Sequence, residues 1–214
     1  MTTFLGSSST RGGTVKDPVA KLPRIAGTLR VLGVDPAVAG ATGYGVIEYD
    51  GPVPRLLRFG ALKLPARATF ASRLREVYRV IAQLVEEFAP DAVAVESVFT
   101  ALNMRTALKL AEIRGVVLLA AAQASIPSHS YSPREVKASV AGYGGASKQQ
   151  MQQMVSSLLR LSTVPEPADA ADALAVALCH AHLSQARERL AASIRVRATA
   201  APQSNRTRAA RVPN

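Results

Sequence analysis

The sequence predicts a single α/β domain: a mixed β-sheet flanked by helices, with basic tails on either side. Three observations carry this. Two short apolar runs, Leu29 to Asp35 and Asp91 to Glu96, each end in a carboxylate and have the density of buried strands. Two further strand-like segments follow the first run at hairpin distance. After them, segments of helical period alternate with short strands, the order that builds a sheet with both parallel and antiparallel neighbours.

Taken in order, LRVLGVD at 29–35 is the first strand, and GYGVIEY at 43–49 and RLLRFGALK at 55–63 pair behind it. Asp50-Gly51-Pro52 supplies the turn between the last two. From Thr69 to Phe88, apolar residues at 70, 74, 77, 81, 84, 85 and 88 recur at helical spacing, and Pro90 stops the run. DAVAVE at 91–96 is the next buried strand. Leu102 to Ala124 reads as a long helix whose second half is apolar on nearly all sides. Such a helix lies under a sheet or against another subunit; its Leu118, Leu119 and Ala122 side packs core or dimer rather than a cofactor. Pro127 to Tyr131 is a short strand. Ser132-Pro133-Arg134-Glu135 combines an N-cap, a first-turn proline and a capping-box glutamate, and Gly142, Gly144 and Gly145 break the helix it starts. Ser147 to Leu161 begins another helix, with Met151, Met154, Val155, Leu158 and Leu159 on one face. Ala168 to about Gln185 is the last.

The chain has 214 residues and a formal net charge of +11. With 48% hydrophobic residues it can bury a real core, which excludes wholesale disorder. The single cysteine, Cys179, excludes an internal disulfide framework and suits a reducing cytoplasm. Neither a membrane span nor a secretory signal is visible. Residues 1–28 are rich in Ser, Thr, Gly and Pro and read as a disordered tail; residues 186–214 read as a basic, disordered tail. The first holds four basic residues against one acid and the second seven arginines against one glutamate, so residues 29–185 keep a net of only +2. The excess points to a polyanion, but most of it lies outside the expected fold.

Chemistry concentrates in acids. Asp35 and Glu96 close the two buried strands; if these are parallel neighbours, both carboxylates emerge at the carboxyl end of the sheet. Asp169 and Asp172, three apart, share a face of the first turn of the last helix. Each feature has an ordinary explanation, since a first-turn acid is often a dipole partner contributing ~0.3–1 kcal/mol. Four carboxylates converging on one point is another matter. They would repel severely without cations, and hard oxygen ligands select Mg²⁺ or Mn²⁺ over zinc. That is the equipment of two-metal phosphodiester hydrolysis, two ions per site. Cys179-His180-Ala181-His182 resembles a soft-metal string, but neighbouring helical positions point to different sides and no zinc site is expected there.

These residues also carry a resemblance. LGVDP at 32–36, TGYGVI at 42–47, AVESVF at 94–99, ALKLAEIRGV at 107–116, SPREVK at 132–137 and ADAADALAVA at 168–177 together resemble the RuvC family of Holliday-junction resolvases. The likeness covers about residues 29–185, a RuvC-like nuclease domain, and implies a ribonuclease-H-like fold. It implies that Asp35, Glu96, Asp169 and Asp172 are the catalytic, metal-binding acids. It further implies a homodimer nicking symmetric strands of a four-way junction to leave 5′-phosphate and 3′-hydroxyl ends, with RuvA and RuvB as partners. Lys137 and Lys148 match basic positions near the scissile phosphate, and Phe99 matches an aromatic placed at the junction to stack on bases. Asn103 and Arg105 continue that segment as candidate DNA contacts.

The chain departs from the family pattern in its first loop. Asp35-Pro36-Ala37-Val38-Ala39-Gly40-Ala41 is one residue longer than usual and lacks a basic side chain; Gly40 reads as restoring the turn one position late. Leu102 stands where relatives often carry a basic residue, and the loop from Leu161 to Pro167 is also one residue longer. Two other functions compete with a junction endonuclease. One is a junction-binding module on the same fold that does not cut. The other is an actin-like phosphotransferase, which the absence of a second phosphate-binding glycine loop and the short domain disfavour.

Overall fold

The computed structural model of the chain describes residues 22–23, 26–38, 40–49, 53–63, 67–97 and 103–200, the last five without side chains. The expected turn at Asp50-Gly51-Pro52 lies outside them. The elements run β1 (Leu29–Asp35), β2 (Thr42–Tyr49), β3 (Pro54–Leu62), α1 (Phe70–Phe88), β4 (Ala92–Glu96), α2 (Met104–Gln123), β5 (Ser128–Tyr131), α3 (Pro133–Ala141), α4 (Lys148–Leu158) and α5 (Ala168–Ala200). One five-stranded sheet has the order β3-β2-β1-β4-β5. Its first three strands are antiparallel, while β1–β4 and β4–β5 are parallel, the mixed sheet the element order requires.

Period-2 alternation in the strands sends side chains to two cores. On one face Leu32, Val34, Val46, Val93 and Val95 meet the apolar stripes of α1 and α2. On the other, Val31, Ile47 and Ala94 meet α3, α4 and α5. The result is three layers, with the carboxyl ends of β1 and β4 opening between the helical ones. At the opposite end, buried Arg30 donates to Glu48 and to the backbone carbonyls of Phe88, Leu22 and Pro23. Leu22 and Pro23 are thereby tied to the domain, closer in than a tail running through residue 28 implies.

The last helix is longer than the sequence reading. Its buried stripe fades after Ala181, and every residue from 186 to 195 is exposed, including Leu190 and Ile194. The helix nevertheless continues to Ala200, so residues 186–200, read as disordered tail, are helical. Alanine and arginine are strong helix formers that extend an established helix without needing a packing partner.

Candidate active site

The site grows from backbone register. β1 and β4 pair in parallel with Val34 opposite Val95, so the next residues, Asp35 and Glu96, leave the sheet side by side. Their side chains share a hydrogen bond. Burial first, then that bond and the charge of Glu96, then the charges of Asp172 and Asp169, push the Asp35 carboxyl up to about 9. Glu96 is also raised, by burial and the Asp172 charge, against the opposing pull of its bond to Asp35 and of Lys137. Asp35 thus feels all three of the other acids, Glu96, Asp172 and Asp169.

Asp169 and Asp172 arrive on the first turn of α5, and three glycines decide how close they come. A β-carbon on Gly33 would lie 2.2 Å from the Ala173 carbonyl oxygen, one on Gly43 1.9 Å from that of Asp169, and one on Gly45 2.5 Å from Leu174. The helix therefore rests on bare strand backbone, and the alanines it presents, Ala170, Ala173 and Ala177, are fully buried. The sequence reading did not use these glycines. The signal was there: Gly43 and Gly45 alternate on one strand face while the facing helix is alanine-rich on every side.

Cations enter from α3 and α4. The capping boxes at Ser132 and Ser147 both form, fixing where each helix starts. Lys148, first residue of α4, places its ammonium 3.1 Å from Asp172 Oδ2. That bond and charge raise its pKa, with smaller contributions from Asp169 and Asp35. Lys137 acts electrostatically on Glu96. Glu96, Lys137, Lys148, Asp172, Val136 and Met151 line a cleft of about 250 Å³. A larger cleft, about 700 Å³, lies against Val164 to Ala168 and the glutamines of α4, with Glu166 its one carboxylate.

Six of the residues singled out in the sequence thus come together: Asp35, Glu96, Asp169, Asp172, Lys137 and Lys148. Phe99 lies outside the described residues. Asn103 caps α2, its side chain accepting the Thr106 N–H, and Arg105 is exposed on the first turn. Gly40 is not among the positive-φ glycines, so it does not rebuild the turn through left-handed backbone. Its place is beside Asp169: a β-carbon there would lie 3.5 Å from Asp169 Oδ1, an ordinary contact. Ala37 N–H closes the same loop on Thr42 Oγ1. In the histidine string, His180 Nδ1 meets the Tyr131 hydroxyl at 2.7 Å and His182 Nδ1 meets Ser139.

Among the described residues no three His, Cys, Asp or Glu side chains already stand as a ligand cluster. Two contacts offset the repulsion among the acids: the hydrogen bond between Asp35 and Glu96, and the Lys148 ammonium on Asp172. Both do what a divalent cation does, and all four donors are hard oxygens, so the set fits such an ion once Lys148 yields.

Residues 31–180 match the family described as Crossover junction endodeoxyribonuclease RuvC. The Chloroflexus aggregans protein of that name is 49% identical over 165 residues, 77% of this chain and 100% of the relative. Thermus thermophilus RuvC superposes with a TM-score of 0.68 at 34% identity, covering 73% of this chain and 96% of that one. The T. thermophilus protein in complex with Holliday junction substrate gives 0.67 at 32%, with the same coverage.

Proposed function

The chain belongs to the RuvC family of crossover junction endodeoxyribonucleases, and from that premise we propose that it is a structure-selective endonuclease that resolves four-way (Holliday) DNA junctions by paired symmetric nicks. The observation that carries this reading is the convergence of two parallel strand ends with the first turn of α5. It brings Asp35, Glu96, Asp169 and Asp172 to one edge of the sheet.

The family is divalent-metal-dependent. In this chain Asp35, Glu96, Asp169 and Asp172 are the residues to hold the metal, as two Mg²⁺ or Mn²⁺ ions. Bound there, the ions would supply activation of a water and charge neutralisation at the leaving oxygen, the chemistry that leaves 5′-phosphate and 3′-hydroxyl ends. The protein's part is positional. Gly33, Gly43 and Gly45 seat α5 so that its two acids face the strand ends, and burial keeps the site's dielectric low. Lys148, a point charge on a flexible stem, leaves Asp172 for the incoming phosphate, and Lys137 offsets charge near Glu96. Asn103 and Arg105 extend the DNA surface along the start of α2, and Phe99 is the residue to stack on bases at the junction.

The same reading makes the enzyme a homodimer that acts with RuvA and RuvB in the cytoplasm. Support for the dimer comes from α2, whose Met104, Leu108 and Leu119 are 75%, 57% and 51% exposed. No helix among the described residues is long and apolar enough to cross a membrane. The arginines beyond residue 185 add non-specific affinity for DNA.

The test is cleavage of a synthetic four-way junction against linear duplex, with Mg²⁺ or Mn²⁺, by the native protein and by Asp169→Asn. Junction-selective nicking that the substitution abolishes supports the reading. Tight junction binding without cleavage under either metal would move it to a binding module on the same fold.

A further inference from the structure

Two cationic side chains of the α1–α2 layer, Arg73 and Lys109, are held by neutral partners, a backbone carbonyl and an aromatic ring. Arg73 is half-buried one turn into α1, and its Nη1 donates to the Gly40 carbonyl at 3.3 Å. Gly40 is the residue of the first loop that faces Asp169, at the 3.5 Å given above. The guanidinium thus stands one residue away from an acid of the cluster. Glu76, the acid one turn along the same helix, is engaged by Arg79 at 2.9 Å, and no described carboxylate pairs with Arg73. A guanidinium has five N–H donors. The bond to Gly40 uses one.

Lys109 lies beside it. Its ammonium sits over the Phe70 ring, 5.5 Å from the centroid, and Phe70 and Arg73 are i,i+3 neighbours on one face of α1. Arg105 is one turn before Lys109 on α2. All three belong to the α1–α2 layer, and Arg73 is the one that reaches the loop beside Asp169. Lys137 and Lys148 come from the layer on the opposite face of the sheet.

We propose that Arg73 and Lys109 form a second phosphate-binding flank, which grips the cut strand from the side opposite Lys137 and Lys148. This rests on the nuclease reading and deepens it. A strand crossing the sheet end must pass from one helical layer to the other, and cations on one side alone would fix its position but not its direction. The first loop holds no basic residue from Pro36 to Ala41; α1 delivers one to that loop's backbone instead.

Junction binding measured in EDTA across a salt series tests the proposal without cleavage intervening. Each phosphate contact contributes about 0.9 to the slope of log affinity against log salt. Arg73→Gln and Lys109→Gln should each reduce the slope by about 1, the double variant by about 2, and Arg73→Lys should retain it. Unchanged slopes in folded Arg73→Gln and Lys109→Gln proteins would overturn the proposal; a lowered melting temperature in the former would then mark Arg73 as a loop fastener only. Should Arg73→Gln fail to fold, Lys109→Gln decides alone. Native protein that binds no junction overturns this proposal and the nuclease reading together; native protein that binds and cuts, with variants of unaltered slope, overturns only the second flank.

Discussion

The first turn of α5 lies on the bare backbone of Gly43 in β2: a β-carbon there would come 1.9 Å from the carbonyl oxygen of Asp169. Backbone cannot rotate out of the way as a side chain can, so Gly43→Ala must push the first turn of α5 off the sheet. Overpacking of this kind costs about 1–3 kcal/mol. Because the displaced turn carries Asp169 and Asp172, cleavage should fall more than stability does. Gly40→Ala is the control: its β-carbon would meet Asp169 Oδ1 at 3.5 Å, ordinary contact, and its melting temperature should stay at the native value. Thermal melts and junction cleavage of the two variants check the contrast.

Lys148 pairs with Asp172, one of the acids proposed to hold the metal. Lys148→Met keeps the stem and removes the charge. The half-saturating metal concentration should drop, because Asp172 loses its competing partner. Cleavage at saturating metal should fall roughly a hundredfold, the scale of losing one charge-stabilising donor. Metal titrations of activity separate the two effects, and a rise in half-saturation would show that Lys148 instead orders the ligands.

What was legible in the sequence divides along physical lines. Strand ends at Asp35 and Glu96, the capping box at Ser132, the helix start at Ser147 and the paired acids of α5 are local patterns, set by periods of two and 3.6 and by short hydrogen-bonded motifs. They emerge where expected. The contacts of Gly43 with Asp169 and of Arg73 with Gly40 join residues 126 and 33 positions apart, and no local pattern encodes which glycine meets which helix. The end of α5 was misplaced for a related reason. Past Ala181 the apolar stripe that marks a packed helix is gone, while the intrinsic helix preference of Ala and Arg remains.

His180 gives the fold an acid-sensitive joint between β5 and α5. It is 4% exposed, bonded to the Tyr131 hydroxyl and, through Nε2, to Ser184, with the His129 ring 4.5 Å away. Burial first, then the charges of His129 and Arg187, lower its pKa from 6.5 to about 4. A base whose folded pKa is depressed costs nothing above pH 6.5, where it is neutral in both states. Between 6.5 and 4 the unfolded chain takes up a proton that the folded one refuses. Stability should therefore decline as pH falls through that window, by at most about 1.4 kcal/mol per pH unit from this residue. Urea melts of the native protein and of His180→Gln should converge in slope above pH 6.5 and separate below it. Parallel curves down to pH 4.5 would assign the acid sensitivity elsewhere.

Along α2, Met104, Leu108, Ala111, Gly115, Leu119 and Ala122 recur at intervals of three and four and are all exposed. This is the seam spacing of helices that pack on one another. Gly115 sharpens the point, since nothing lies within 4 Å of where its β-carbon would be. A mid-helix glycine gives up about 1 kcal/mol relative to alanine, a cost with no return in the isolated chain. It makes sense if another helix approaches there. Leu119→Arg should convert the proposed dimer to a monomer in sedimentation equilibrium and leave the fold of the single chain intact by circular dichroism. It should leave junction nicking on single strands while uncoupling the paired cuts, read as nicked intermediates that persist instead of resolved duplexes. Dimeric Leu119→Arg protein would place the subunit interface on another face.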